Sequence, residues 1–259
     1  MKRVLTALCL IPVAAWVVLA ANTWIFLAVL VLAACLSYRE YNSIAEGFGF
    51  GAPGVVGYGA GLLLLAWWDA PWLVLVLVTL IAMVMTMREE DLGHALPRAS
   101  ILVVGVIYVF GCWKCARPLH DMNPHWLMYG LMLNWVGDIG AYYVGRPFGK
   151  HKLAPRVSPK KSWEGSIASV FTSVAVGTLY LHYFIPAFPL PYAITLTVLA
   201  NIAGQLGDLA ESAMKRGAHV KDSGVLLPGH GGFLDRVDST LFALPVIYGF
   251  LRVYFIWTS

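Results

Sequence analysis

The densest group of reactive side chains lies between Ser212 and Asp238, with four Lys or Arg, two His and three Asp in one segment. Such a mixture suits a polyanion held by cations and a hard metal ion rather than nucleophilic catalysis. Gly231 and Gly232 allow close backbone approach, and their N–H groups can form an anion-binding nest. The helix expected to start near Asp235 would add its N-terminal amides toward a polyphosphate. Asp235 and Asp238, three apart, would share a helical face and hold Mg²⁺ between carboxylate and phosphate oxygens. The competing reading is a basic loop resting on lipid headgroups, with the acids balancing its charge.

Three further groups could carry chemistry. Asp208, Glu211, Ser212 and Lys215 recur at helical spacing and form one polar stripe. Asp208 is a candidate metal ligand, or else part of an ion pair at a helix end. Asp138 follows Gly137 inside an apolar stretch, where an ionisable residue marks either a functional site or a polar contact within the bundle. Finally, Arg146, Lys150, Lys152, Arg156, Lys160 and Lys161 crowd a segment punctuated by Gly and Pro. Field alone could draw that segment to anionic lipid, but the Gly and Pro residues fix a shape that a simple tether does not need. Ser162, with Glu164 two positions on, reads as a helix start.

The elements that must position these groups are membrane helices. Hydrophobic residues make up 59% of the 259 residues and charged ones only 12%, against roughly 25% charged in soluble domains. Mean hydropathy is +0.72. Nine apolar segments are legible: Val4–Ala21, Thr23–Tyr38, Gly54–Trp67, Trp72–Met87, Ser100–Cys115, Trp126–Val144, Ile167–Phe184, Tyr192–Leu206 and Leu241–Tyr254. The expected fold is therefore all-α: one polytopic bundle of about nine transmembrane helices over residues 1–259, with a polar active-site cavity facing the cytoplasm. Met1-Lys2-Arg3 before an apolar run also fits a secretory signal; an uncleaved first helix is the expectation, because a second span follows at once. Placing the N-terminus inside leaves only Lys114, Arg117 and Arg252, of 18 Lys and Arg, on the outer side. The inner-face segments 145–166 and 207–240 belong to the catalytic half, 100–259; residues 1–100 are less distinctive. Cys112 and Cys115 have the spacing of a redox or metal pair but stand alone, and a packing role is expected.

The pattern Ser212, Lys215-Arg216, Lys221-Asp222, Pro228, His230-Gly231-Gly232, Asp235-Arg236 and Asp238 resembles the signature of the phosphatidate cytidylyltransferase family at nearly every fixed position. The segment Asp138–Gly165 resembles that family's second marked region, and the likeness covers roughly residues 100–259. Two positions depart from it: His219 stands where the family usually has glycine, and Ile139 where a small hydroxyl residue is usual.

The resemblance implies attack of a phosphatidate phosphate oxygen on the α-phosphorus of CTP, releasing pyrophosphate and leaving CDP-diacylglycerol in the membrane. It implies metal ligation by Asp208, Asp235 and Asp238, and catalytic roles for those residues with Lys215 and Lys221. Lys215, Arg216, Lys221, His230 and the Gly231-Gly232 backbone would cradle the CTP phosphates; the Arg146–Lys161 segment, with Lys150 and Lys160, would serve the phosphatidate headgroup and the base; Asp138, Ser212 and Arg236 would be further substrate-binding residues. Mg²⁺, with K⁺ as a second cation, and a homodimer in the cell membrane complete the expectation. No nucleic-acid partner is expected. The alternatives are a CTP-dependent polyprenol kinase, separable by its product CDP, and a transporter using Asp138 on an ion pathway.

Overall fold

A computed structural model describes residues 2–50, 54–89, 91–226 and 231–258. His230 and Pro228, both part of the expected signature, lie outside the described residues. Among the described residues there are nine helices: α1 Lys2–Leu19, α2 Thr23–Glu46, α3 Gly54–Ala66, α4 Pro71–Thr86, α5 Leu92–Met122, α6 Pro124–Phe148, α7 Trp163–Phe184, α8 Leu190–Gly217 and α9 Leu234–Thr258. This matches the nine expected segments, because a backbone in hydrocarbon must satisfy its own hydrogen bonds. Among the described residues, α2, α5, α7, α8 and α9 are long and apolar enough to cross a membrane. Helices α3 and α4 are apolar but shorter. Helix α6 has the length at 25 residues, but His125, Asn134, Asp138 and Arg146 dilute its apolarity.

The helix starts follow local chemistry. Asn22, Asn123 and Ser162 each accept a hydrogen bond from the backbone N–H two or three residues on, at Ile25, His125 and Gly165. Pro71 and Pro124 occupy first turns, where a missing N–H is harmless. Helix α8 ends through His219, whose φ of 59° is left-handed. Its N–H and that of Val220 return to the carbonyls of Arg216 and Lys215. The conformation is one glycine adopts freely, which suits the glycine expected at this position; His219 holds it at some strain.

One feature differs from an all-helical expectation. Between α6 and α7, β1 Lys152–Ala154 pairs antiparallel with β2 Ser158–Ser162, Lys152 opposite Ser162 and Ala154 opposite Ser158. The Pro- and Gly-punctuated basic segment is thus a short hairpin with Pro155 in its turn.

The chain divides into two compact units. The first comprises Met1–Leu10, Asn22–Lys114 and Met214–Val237; the second comprises Ile11–Ala21, Cys115–Ala213 and Asp238–Ser259. The first unit is centred on Tyr38, Phe110 and Leu64, all essentially without exposure. Helix α5 carries a π-helical stretch there, Val106–Gly111. Trp113 donates to the Ser37 hydroxyl at 3.3 Å, and the Lys114 ammonium donates to the carbonyls of Leu64 and Trp67, closing the end of α3. The residues between Cys112 and Cys115 are therefore structural.

In the second unit, α6 and α7 approach along small residues. A methyl on Gly137 would come within 2.6 Å of the Ser169 hydroxyl, and one on Gly140 within 2.2 Å of the Thr172 hydroxyl. Gly145 faces the Cα of Gly165. Small residues at matched spacing let two membrane helices approach to backbone contact.

Candidate functional site

The close approach of α6 and α7 sets the floor of a chamber in the second unit. Its volume is about 640 Å³. Arg146, Lys152, Lys160 and Lys161 bring four cations to its lining, and Asp138 brings a carboxylate. Ser162, Ser166, Ser169 and Gln205 add hydroxyl and amide groups, and Gly145, Gly149 and Gly165 keep the wall low. Hairpin and helix cooperate here: β1 and β2 carry three of the four cations, while α6 carries Arg146 and Asp138.

Several partners hold these groups in place. The Arg146 guanidinium donates to the Tyr142 hydroxyl at 2.6 Å and lies over its ring. Lys161 forms an ion pair with Asp208 on α8, each about a quarter exposed. The start of α7 is tied down by Glu164, whose carboxylate accepts from the His151 backbone N–H and lies 2.7 Å from the His151 ring Nδ1. Below the chamber, Asn201 donates to the hydroxyls of Ser169 and Ser173 at 3.0 and 2.9 Å, and Gln205 donates to Asn201 Oδ1 at 2.7 Å. The sequence singled out Arg146, Lys160, Lys161 and Asp138, with Lys152 only one of six cations in the basic segment, and gave no sign of this amide–hydroxyl ladder. Lys150 is exposed beside the hairpin.

Two expected carboxylates belong to this unit. Asp208 accepts from the Ser212 hydroxyl at 3.2 Å besides pairing with Lys161. Asp238 is 7% exposed. Gly207 packs against its backbone so tightly that a methyl there would stand 2.7 Å from the Asp238 carbonyl oxygen. Asp208 and Asp238 thus sit on helices that pack together at Gly207. The described residues contain no cluster of three or more His, Cys, Asp or Glu ready to hold a metal without substrate.

The remaining signature residues belong to the first unit. Asp235 forms an ion pair with Lys215 through Oδ1, while its Oδ2 accepts from the Ser223 and Gly232 backbone N–H groups at 3.0 and 2.8 Å. Its side chain is only 5% exposed. Gly231 has φ of 79°, and a methyl on it would strike the Asp235 carboxylate at 2.6 Å. Of the backbone nest expected to receive phosphate, the Gly232 N–H and the two amides after it are engaged by protein carboxylates. The Gly232 N–H points to Asp235, and the Phe233 and Leu234 N–H groups point to Glu40. Arg216, Lys221 and Arg236 are exposed. Glu40 escaped the sequence reading, since a carboxylate at the end of α2 looks like an ordinary helix-end charge.

Among the described residues, five helices long and apolar enough to cross a membrane, and a cation-rich polar chamber between α6 and α7, define a multi-pass membrane protein with a site suited to phosphorylated ligands. The chain belongs to the cytidylyltransferase family, whose pattern matches residues 1–254. It is 36% identical over 160 residues to the phosphatidate cytidylyltransferase of Bacillus subtilis (strain 168), covering 60% of this chain and 59% of that protein. It is 39% identical over 149 residues to the Staphylococcus aureus (strain COL) protein of the same name, covering 58% and 57%. It is 46% identical over 123 residues to the Haemophilus influenzae one, covering 46% and 43%. The matched stretch thus spans less than two thirds of each of these relatives.

Proposed function

We propose that this chain transfers the cytidylyl group of CTP to phosphatidate, producing CDP-diacylglycerol and pyrophosphate at the inner face of the cell membrane. The observation that carries this reading is the chamber of four cations with hydroxyl and amide groups, found in a chain of the cytidylyltransferase family. A phosphate oxygen of phosphatidate bonds to the α-phosphorus of CTP as the bond from that phosphorus to the β-phosphate oxygen breaks. Pyrophosphate departs with the electron pair. The nucleophile is already an anion, so the task is to bring two polyanions together, by positioning and charge neutralisation rather than by a general base.

Arg146, Lys152, Lys160 and Lys161 are proposed to hold the phosphatidate headgroup, with Asp138 limiting how many phosphate charges the chamber accepts. Lys150 lies beside them as an exposed cation. Lys215, Arg216, Lys221 and Arg236 are proposed to serve the CTP phosphates, with His230 and Gly231 in the same segment. Asp208 and Asp238 would hold Mg²⁺ together with phosphate oxygens. That ion, when bound, neutralises phosphate charge and stabilises the charge that develops on the leaving group. Asp235 and Gly232 are proposed to hold the loop as well, through the hydrogen bonds they make there. A second cation such as K⁺, a homodimer and a cytoplasmic orientation of the chamber extend the proposal. The distribution of lysine and arginine supports the orientation.

Pyrophosphate release tests the reading. Purified protein in bilayers, given CTP and Mg²⁺, should release pyrophosphate only when phosphatidate is present. Release that persists without phosphatidate would contradict it, as would CDP formation with a polyprenol acceptor.

A further inference from the structure

Glu40 sits near the end of α2, far in sequence from every motif that carries chemistry, yet it is 6% exposed and saturated with donors. Its Oε1 accepts from the Phe233 backbone N–H at 2.9 Å. Its Oε2 accepts from the Leu234 backbone N–H and from the Ser223 hydroxyl, both at 2.7 Å. Ser223 is itself 3% exposed and accepts from the Asp235 backbone N–H at 3.3 Å. Free helix N-terminal amides attract an anion, and a protein carboxylate has taken that place in α9. The fit is tight: a methyl on Gly224 would lie 2.6 Å from Glu40 Oε1, and one on Gly232 would lie 2.3 Å from Oε2.

We propose that Glu40 is a positioning residue for the proposed cytidylyl transfer, a buried anionic clasp that fixes both ends of the segment Ser223–Asp235. One carboxylate holds Ser223 at the start of the segment and the first turn of α9 at its end. The positions of Lys221 and Asp222 before the clasp, and of Asp235 and Arg236 after it, follow from that closure. Glu40 touches no substrate in this account; it acts through the loop. The inference rests on the proposed function for its catalytic consequence, while its structural half stands on the hydrogen bonds alone.

The test uses the full-length protein in detergent or nanodiscs, with Glu40→Ala and Glu40→Gln. Amide hydrogen exchange across 222–236 and steady-state kinetics with CTP and phosphatidate are measured per folded molecule. In Glu40→Ala, exchange at Phe233 and Leu234 should accelerate at least ~10-fold with α6 and α7 unchanged, and kcat should fall at least ~10-fold. Glu40→Gln retains one acceptor oxygen, so it should be intermediate in both readouts; it also serves if the Ala variant does not fold. Two outcomes overturn the proposal: unchanged exchange at these amides, or accelerated exchange with wild-type kcat and KM. An inactive wild-type protein would instead refute the proposed function, and the exchange arm would still decide whether Glu40 closes the loop.

Discussion

Replacing Asp235 by Asn turns one of its two acceptor oxygens into a donor while keeping the size of the side chain. In either orientation the Lys215 ammonium, of a pair whose side chains are 10% and 5% exposed, loses its anionic partner, and in one orientation the new NH₂ also faces that ammonium. In the other it faces the N–H groups of Ser223 and Gly232, which lose their acceptor. Breaking a buried ion pair costs about 3–5 kcal/mol; stranding two buried amides costs about 1–3 kcal/mol each. Either way about 3 kcal/mol is lost, equivalent to a fall of ~6–12 °C in melting temperature for a chain of this size. The assay is thermal unfolding of purified protein in one detergent, followed by tryptophan fluorescence. Asp121→Asn is the control, since Asp121 pairs with Arg117 at 3.5 Å while more than half exposed, and its loss should cost under ~1 kcal/mol. Adding Lys215→Met to Asp235→Asn should recover part of the stability, because an apolar pair does not strand a charge. An Asp235→Asn protein melting within ~2 °C of wild type would refute the view that this carboxylate locks the loop.

Other outcomes follow from the same geometry. Lys161→Gln should leave the melting temperature nearly unchanged, since its ion pair with Asp208 is partly exposed, yet raise the KM for phosphatidate at least ~10-fold in steady-state assays. Gly137→Ala should destabilise by about 1–3 kcal/mol in thermal melts, because its methyl meets Ser169 and Asn201 at 2.6 and 2.8 Å. His219→Gly should raise stability by up to ~1 kcal/mol by relieving the left-handed backbone. Single cysteines introduced at Lys160 and Lys221 should label from the same side of the membrane; labelling from opposite sides would refute the orientation.

What the sequence disclosed was whatever is written in one dimension. Helix α2 begins at Thr23, where the apolar run begins in the sequence. Helix α9 starts at Leu234, beside Asp235, as the Gly231-Gly232 break foretold. The hairpin was not legible: Lys-Leu-Ala and Ser-Pro-Lys-Lys-Ser are short, and neither alternates apolar with polar residues. Lys152 joined the chamber for that reason alone, through a strand pairing that hydropathy cannot register. Glu40 was hidden more deeply, because its partner Ser223 lies 183 residues away. The nest at Gly232 was recognised as an anion site; its Gly232 N–H meets Asp235 within α9, and the next two amides meet Glu40 of α2.

The central claim is that the cytidylyl group, and not a terminal phosphoryl group, reaches the lipid. Two parallel incubations with phosphatidate and Mg²⁺ decide it, one with CTP labelled at the α-phosphorus and one with CTP labelled at the γ-phosphorus. Lipid-bound label should come from the α position only, with the γ label recovered in pyrophosphate. Label entering lipid from the γ position would contradict it and mark the protein as a lipid kinase.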